Sequence, residues 1–447
     1  MPEEKLLRKL SFWHIWAIGV GAVIGDGIFL LIGEGVKSAG PLAIIAYVLA
    51  GLLMLTVMVA LCELAVGMPK AGSLHVWARR VLGAGYGTVA GLAYTAMNII
   101  FLGSVSLANG AISNYFFQWT SDPGVSALIW AVLLVTIVAA IALSGAELTG
   151  RVQLALVGTL VTLMAIFGIV GVTNSNFTSA NFHPFAPFGV KGLWVAMGMG
   201  VYAYIGPLVL LTTGEEAKKI TDLPKAMIGA FLTFLVIYTF AMIALIGLVS
   251  YKEMTLLESP FTYAAELMFG RVGGVIVNLA AWIAAFTCLV GEIYGSSRLL
   301  YGMAEEGVIP PIFSKVSKKT RIPWVSIVFA WIIGVLLIIL GNIRAFESAY
   351  VELCMAGSEM GVIAWIICLL AAAKYKQKFP EEWEKLPWKI PGRAIVIPAA
   401  FIAAFITMYA LVSGDPQSIL YTAVSCIVLL LVYYGYSKKH MIIPERG

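Results

Sequence analysis

Four carboxylic acids stand inside long apolar stretches of this chain, where an ionised side chain is costly: Asp26, Glu63, Glu292 and Glu359. An acid at the centre of a membrane-spanning helix costs about 2.5–3.5 kcal/mol on insertion scales, so such residues usually face the protein interior and have a function. No Lys or Arg occupies the middle of any of these stretches. A proton, a metal cation or the ammonium group of a ligand would lower the cost.

The spacing of the polar residues indicates which of them share a helix face. Cys288 and Glu292 are four residues apart, and Glu352 and Glu359 are seven apart, so each pair lies on one face of a helix. We expect Glu292 and Glu359 to approach a common cavity. For Glu63, near the predicted inner surface, a structural role is the preferred interpretation.

Two apolar stretches are interrupted near their middles. Residues 19–27 contain four glycines and an aspartate, and residues 202–207 read Tyr-Ala-Tyr-Ile-Gly-Pro. Glycine weakens a helix, and proline removes a donor and clashes with the preceding turn. Matched breaks in two halves of a chain predict a transporter site at the membrane midplane. The alternative is close helix packing through glycine.

We therefore expect the substrate to be bound by residues at the two breaks and by polar or aromatic residues that face them. Asp26, Glu292 and Glu359 are also the candidates for coupling transport to H+ or Na+. The candidate binding residues are Ile24, Gly25, Asp26, Gly27, Asn98, Tyr202, Ala203, Tyr204, Gly206, Glu292 and Glu359.

The composition requires a membrane protein. The mean hydropathy is +0.93, and 60% of the residues are hydrophobic against 12% charged, which a soluble chain of 447 residues cannot sustain. Because a bilayer core needs about 20 apolar residues per helix, the sequence predicts an all-α integral membrane protein with about twelve spans. They are residues 12–32, 41–67, 84–117, 124–144, 152–172, 191–213, 226–250, 272–303, 323–341, 348–373, 395–413 and 417–437.

The basic residues predict the orientation. Of the 29 Lys and Arg residues, 23 fall on the side of the N-terminus and five on the other side, while Arg298 lies near the inner end of the eighth span. The positive-inside rule then places both termini in the cytoplasm of a multi-pass protein in the cell membrane. The basic residues are spread over many short loops rather than one patch, so no nucleic-acid partner is expected.

No enzyme motif, metal-ligand spacing or cofactor motif stands out in the sequence. A channel, the second class considered, needs a continuous polar stripe, which the sparse polar residues do not supply. Glu215 and Glu216 follow the second break, with Lys218 and Lys219 close by. We interpret these four residues as a gating or structural salt-bridge cluster at the inner end of the sixth span.

The chain resembles the amino acid–polyamine–organocation superfamily of transporters. The resemblance lies in four segments in the right order: residues 19–29, 62–72, 203–227 and 295–327. It implies a five-plus-five inverted-repeat core with broken helices 1 and 6, spanning residues 1–394 with the cytoplasmic loops. It also implies two additional helices and a cytoplasmic tail in residues 395–447, and alternating access around a midplane site for amino acids, polyamines or other organic cations.

Two departures from the family pattern bear on the cargo. Several proton-coupled relatives carry a lysine on the fifth helix, and span 152–172 has no charged residue. Asp26 stands where relatives often place a small hydroxyl residue that helps hold the substrate carboxylate, and an aspartate there attracts an ammonium group instead. We therefore favour a cationic amine, polyamine or cationic amino acid. The alternative is a neutral amino acid, with Asp26 protonated or bound to an ion.

Overall fold

The structure of the protein is a computed structural model that describes residues 8–25, 27–70, 72–254, 257, 259–342 and 346–440. All regular structure in this part of the chain is helical, apart from one isolated pairing of Leu10 with Ala217. Ten helical stretches among the described residues are long and apolar enough to cross a membrane, and two shorter apolar helices accompany them. The predicted all-α membrane class is confirmed.

Nineteen α-helices are numbered here in chain order. They are α1 Phe12–Gly21, α2 Ile32–Ala39, α3 Ala43–Gly67, α4 Ser73–Leu82, α5 Ala84–Ser113, α6 Pro123–Leu143, α7 Ala146–Thr173, α8 Gly189–Ala203, α9 Leu208–Thr212, α10 Asp222–Leu248, α11 Tyr251–Met254, α12 Pro260–Phe269, α13 Arg271–Glu305, α14 Trp324–Asn342, α15 Phe346–Lys378, α16 Pro380–Glu384, α17 Arg393–Gly414, α18 Ser418–Val432 and α19 Lys438–His440.

Short helical pieces of other pitch connect several of these helices. The π-helical segments are Gly27–Leu31 and Tyr433–Ser437, and the 3₁₀ segments are Gly40–Leu42, Ser179–Phe182, Thr213–Glu215 and Pro311–Ser314.

The twelve predicted spans correspond to these helices, with the first and sixth each made of two pieces. The first span is α1 followed by the π-helical segment and α2, and the sixth is α8 followed by α9. The stretch Gly27–Gly67 joins the second half of the first span to the second span, since only the 3₁₀ turn Gly40–Leu42 separates them. The two broken helices that the sequence predicts are therefore present.

Helix α5 runs through the centre of the bundle. It packs on α4, α6, α13, α14 and α15, and its small and polar residues, among them Thr95, Asn98, Ser104, Ser106 and Asn109, are buried. Helix α1 contacts α7, α10 and α13. The first half of the first broken helix is thus enclosed by unbroken helices, as unwound backbone in a membrane requires.

The last two spans differ in how deeply they join the bundle. Helix α17 packs between α3 and α8 and also touches α15. Helix α18 packs mainly on α15, and most of it faces outward, with Leu420 and Leu431 about two-thirds exposed. Such an apolar outer face fits a surface that meets lipid.

Candidate functional site

The two helix breaks lie side by side. Helix α1 ends at Gly21 and helical structure resumes at Gly27, while α8 ends at Ala203 and α9 begins at Leu208. A Cβ atom added to Gly206 would stand 1.7 Å from the carbonyl oxygen of Ala22. Only a residue without a side chain fits there, so the two unwound backbones touch directly, as predicted.

A tyrosine from a neighbouring helix joins the two breaks. The hydroxyl of Tyr238, on α10, lies 3.0 Å from the carbonyl oxygen of Val23 and 3.4 Å from that of Ala203, and it donates to them. Tyr238 is fully buried. The unwound backbone leaves carbonyl groups without helical partners, and this hydroxyl satisfies one from each break.

The helix ends at the breaks supply partial charges. The π-helical segment that begins at Gly27 continues into α2, so its N-terminal end points toward the break. Helix α8 ends at Ala203, which directs the carbonyl ends of its last turn to the same region. Partial positive charge at the first end and partial negative charge at the second suit a zwitterion, with a carboxylate at one side and an ammonium group at the other.

A small cavity of about 10 Å³ lies between the breaks, roughly the room that one water molecule needs. Its wall is mostly apolar, and Glu292 on α13 is the carboxylic acid among the described residues that line it. Glu292 is only 1% exposed. The wall consists of Ala22, Val23, Gly25, Gly27, Phe101, Tyr202, Ala203, Ile205, Cys288 and Glu292.

Most of the residues predicted from sequence lie at this cavity or directly beside it. Gly25, Gly27, Tyr202, Ala203 and Glu292 line it. Ile24 is buried in the first break, and Gly206 forms the contact between the two breaks. Asp26, which the sequence places between two of the lining glycines, lies outside the described residues.

Tyr204 faces away from the cavity. Its ring packs on Phe234 and Tyr238, with ring centroids 5.5 and 5.1 Å apart, and it lies 3.1 Å from the position that a Cβ atom of Gly51 would take. Tyr204 therefore packs between α3, α8 and α10. This differs from the position at the cavity that the sequence predicted for it.

Asn98 is fully buried on α5 but is not part of the cavity wall. Its amide nitrogen donates to the carbonyl of Tyr94 at 2.8 Å, and its side-chain oxygen has no hydrogen-bond partner within the described ranges. That oxygen lies 3.5 Å from where a Cβ atom of Gly295 would stand, so it faces α13 one turn from Glu292.

Glu359 does not approach the breaks, which corrects its predicted place beside Glu292. Its carboxylate accepts hydrogen bonds from Ser418 and Thr422 of α18, each at 2.6 Å. Glu352, on the same face of α15, accepts one from Tyr421 at 2.6 Å. The seven-residue spacing correctly put both acids on one face, but that face meets α18 rather than α1 and α8.

Three residues at the breaks were missed by the sequence argument: Phe101, Tyr238 and Gln153. Phe101 packs edge-on against Tyr202, with ring centroids 5.3 Å apart, and together they cover the cavity. An aromatic residue among many in a buried helix gives no signal of such a role. Tyr238 is equally inconspicuous in an apolar span.

Gln153 occupies the face of the fifth span that meets the first span. Its amide nitrogen donates to the carbonyl of Thr287 on α13 at 2.8 Å and would lie 2.4 Å from a Cβ atom at Gly21. A neutral amide therefore fills this position between α7, α1 and α13. The polar residue at the start of an otherwise apolar span was the available signal.

A buried ion pair lies on the side of the breaks that the sequence analysis predicts to be cytoplasmic. Arg298 on α13 donates two hydrogen bonds to Glu216, at 3.0 and 3.1 Å, and Tyr294 donates a third. The Arg298 guanidinium also lies 3.6 Å from the centre of the Tyr294 ring. The predicted salt-bridge cluster is thus built on Arg298 from another helix, not on the neighbouring lysines.

The backbone next to this ion pair also holds the segment before α1. Leu10 donates its amide to the carbonyl of Glu216 at 3.0 Å and accepts one from Lys218 at 2.9 Å. Leu10 is fully buried. We call this arrangement of Leu10, Glu216, Lys218, Tyr294 and Arg298 the cytoplasmic latch, after the orientation predicted from the basic residues.

Two further inner acids tie helices together. Glu63 accepts from Arg393 at 3.1 Å and from the amide of Ile390 at 3.2 Å, which agrees with the structural role preferred for it. Glu306, just after α13, is bound by His75 at 2.9 Å and by Arg79, both on α4. Burial alone would raise the pKa of Glu306, but the hydrogen bond and charge of His75, with Arg79, lower it below its usual range.

Within the described ranges, no three His, Cys, Asp or Glu side chains gather as metal ligands would. The five cysteines are free, and four are buried. The described residues at the breaks offer backbone dipoles, aromatic rings and the carboxyl group of Glu292.

Comparison with known proteins agrees with this architecture. The family model described as amino acid permease matches residues 14–442. The branched-chain amino acid permease BcaP of Lactococcus lactis subsp. cremoris is 27% identical over 95% of this chain and 93% of its own length. The D-serine/D-alanine/glycine transporter of Escherichia coli K12 is 25% identical over 98% of this chain and 95% of its own.

A putative histidine permease of Bacillus subtilis is 27% identical over 98% of this chain and 95% of its own length. Among solved structures, MhsT in complex with L-phenylalanine superposes with a TM-score of 0.69, covering 92% of this chain and 99% of that one at 15% identity. That likeness shows the fold. The family match over nearly the whole length shows more: the chain belongs to the amino acid permease family and is a membrane transporter of amino acids rather than an enzyme.

Proposed function

We propose that this transporter carries an amino acid with a neutral side chain, bound between the two helix breaks and released by alternating access. The observation that carries the proposal is the described part of the cavity wall, which is mostly apolar and contains one carboxylic acid, Glu292. Among the described residues, this acid matches the single ammonium group of a zwitterion. The remaining wall suits an uncharged side chain, because an apolar surface gives a second charge no partner.

The proposed pose follows from the partial charges. The α-carboxylate would lie at the amides that begin the half-helix at Gly27. The ammonium group would lie toward the carbonyl end of α8 at Ala203 and toward Glu292. Phe101 and Tyr202 would cover the ligand as an aromatic lid. Small rotations of these two rings would open or close the outer route.

The cationic cargo expected from the sequence remains the second candidate. That expectation relied on two or three acids around one ligand. The carboxylate of Glu359 is instead hydrogen-bonded to Ser418 and Thr422 of α18. Glu292, together with Asp26 of the first break, still favours a cation: one charge pair at 4 Å is worth about 4 kcal/mol at an effective dielectric of about 20, before desolvation. Two of the similar transporters named above carry branched-chain amino acids or D-serine, D-alanine and glycine, which supports a neutral cargo, and a third is a putative histidine permease.

We further propose that any proton coupling runs through Glu292 or Asp26. Gln153 stands on the face of the fifth span where coupled relatives carry a lysine, and an amide does not titrate in the working range. Uptake measured against pH in the wild type, Glu292→Gln and Asp26→Asn tests this. Identical pH profiles in all three would contradict it and would favour Na+ or uncoupled exchange.

We propose that both termini lie in the cytoplasm. We also propose a core of residues 1–394, followed by an additional pair of helices in residues 395–447. The 23 basic residues on one side support the orientation. The outward-facing α18 supports a peripheral place for the last span, whereas α17 lies between α3 and α8. Protease protection of tags at either terminus, in cells and in inverted vesicles, would test the orientation.

The experiment that tests the cargo is a competition assay. Purified protein in proteoliposomes takes up labelled leucine at one pH while excess alanine, arginine, putrescine or glutamate competes. We expect alanine to compete and putrescine to have no effect. Competition by arginine and putrescine without any by alanine would overturn the neutral cargo and establish the cationic one.

A further inference from the structure

A second cavity, of about 400 Å³, opens on the cytoplasmic side next to the latch. Its wall brings together four basic side chains from three separate parts of the chain. Lys9 precedes α1, Arg151 lies in the second turn of α7, and Lys319 and Arg321 belong to the loop between α13 and α14. We call this space the basic cavity.

The acids of the basic cavity do not neutralise it. Among the described residues, its wall contains two, Glu147 and Glu216, against the four cations. Glu147 is shared between Lys9 at 3.1 Å and Arg151 at 2.7 Å. Glu216 already binds Arg298, which is buried behind the wall. The wall therefore carries a net positive charge that attracts an anion.

The surroundings of the basic cavity are apolar on one side. Leu148 belongs to its wall and is 46% exposed. Exposed apolar surface next to basic side chains fits a lipid whose headgroup carries a phosphate.

We propose that the basic cavity binds a phosphate-bearing anion, supplied by the headgroup of an anionic lipid of the inner leaflet or by a soluble phosphate. The bound phosphate bridges Lys9 to Lys319 and Arg321. Since Lys9 is next to Leu10 of the cytoplasmic latch, this bridge holds the segment before α1 against the loop after α13. The anion therefore stabilises the state in which the cytoplasmic side is closed.

The test uses full-length protein in a neutral detergent, titrated with short-chain phosphatidylglycerol, with short-chain phosphatidylcholine and with inorganic phosphate. The readouts are the apparent melting temperature and the hydrogen exchange of the Leu10 and Lys218 amides, since a ligand of the folded state raises stability. The test variant is K319Q/R321Q. The matched control is K315Q/K318Q, which removes two exposed charges from the same loop outside the cavity.

We expect phosphatidylglycerol to raise the melting temperature and slow both amides in the wild type and the control. In K319Q/R321Q the apparent affinity should fall about thirtyfold, the effect of two basic side chains near an anionic surface. The charge-retaining K319R/R321K variant should bind as the wild type does, which separates loss of the site from misfolding.

Inorganic phosphate acting as strongly as the lipid would support the site and identify a soluble ligand. Phosphatidylglycerol acting alone would identify the lipid. Equal binding by K319Q/R321Q and K315Q/K318Q, or an equal effect of phosphatidylcholine, would overturn the proposal. These readouts need no transported substrate, so they stand apart from the proposed cargo.

Discussion

The helix breaks and the helix ends on the predicted cytoplasmic side are held together by different kinds of contact. At the breaks, Gly206 lies against the backbone of Ala22 and one tyrosine hydroxyl joins two carbonyls. At the cytoplasmic ends, opposite charges meet, as in Glu216 with Arg298 and Glu63 with Arg393. Shape governs the first region and charge the second.

The difference indicates which parts can separate during transport. Water can replace the partner of an ion when a charged contact opens, so such a contact can break and re-form. Close backbone packing has no such substitute, because a gap there simply loses its contacts. We therefore expect the breaks to move as one unit and the cytoplasmic latch to open and close.

The largest effect should come from filling the contact between the breaks. In Gly206→Ala, the new methyl group meets backbone atoms of Ala22 at 1.7 and 2.4 Å, so the two breaks must move apart. We expect uptake in proteoliposomes to fall more than a hundredfold, or about 3 kcal/mol. Gly158→Ala is the control, since nothing lies within 4 Å of the added atom. Near-normal uptake by Gly206→Ala would contradict the rigid unit.

The next largest effect concerns the latch. Glu216→Gln and Arg298→Met each leave one buried partner without its counter-ion, which costs about 3–5 kcal/mol. The apparent melting temperature in detergent should drop in both single variants. The drop in the double variant should be smaller than the sum of the two single drops. Arg80→Gln, which breaks the exposed pair with Glu382, should change little. Additive losses would show that the pair is not a unit.

A smaller effect is expected from Tyr238→Phe, which removes the hydroxyl between the breaks and keeps the ring. One hydrogen bond contributes about 1 kcal/mol, so uptake should fall roughly fivefold and stability only slightly. Tyr86→Phe, at an exposed tyrosine, is the control. If Tyr238→Phe matched the wild type in uptake, the hydroxyl would have no part in joining the breaks.

The smallest effect is a pH dependence at the contact between α4 and α13. Since the folded pKa of Glu306 is lowered, its stabilising effect is present above its ordinary pKa of 4.5 and is lost as the pH falls through the folded value. Melting temperatures measured between pH 7 and pH 3.5 should decline less steeply in Glu306→Gln. The corresponding difference in the free energy of unfolding should be about 1 kcal/mol or less. A parallel decline in both proteins would show that Glu306 makes no such pH-dependent contribution to stability.

The sequence was most informative about the breaks and the spans. Glycine and proline act through the backbone itself, so Gly25, Gly27, Gly206 and Pro207 indicate an interruption whatever surrounds them. Apolar length likewise predicts a span without reference to its neighbours. Both interruptions therefore agree with the structure, and most helix bounds agree within a few residues. The exceptions are α2, which continues to Ala39 beyond the predicted first span, and α7, which begins at Ala146 before the predicted fifth span.

The sequence was least informative about partners on other helices. Glu216 was paired in prediction with nearby lysines, but its partner Arg298 lies 82 residues away. Glu359 was correctly placed on one face with Glu352, yet periodicity does not say which helix that face meets. Tyr238 and Phe101 act through position alone, and no spacing rule distinguishes them from other buried aromatic residues.

If the cavity of about 10 Å³ at the breaks is the substrate site, as proposed, the measured substrate affinity depends on how often the cavity is enlarged. An amino acid needs far more room than this. It therefore binds only the fraction of molecules in which the rings of Phe101 and Tyr202 have moved apart. If that fraction is about one in a hundred, the measured affinity is about a hundredfold weaker than the intrinsic one. A substitution that trims the lid, such as Phe101→Leu, would then tighten binding without adding any contact to the ligand.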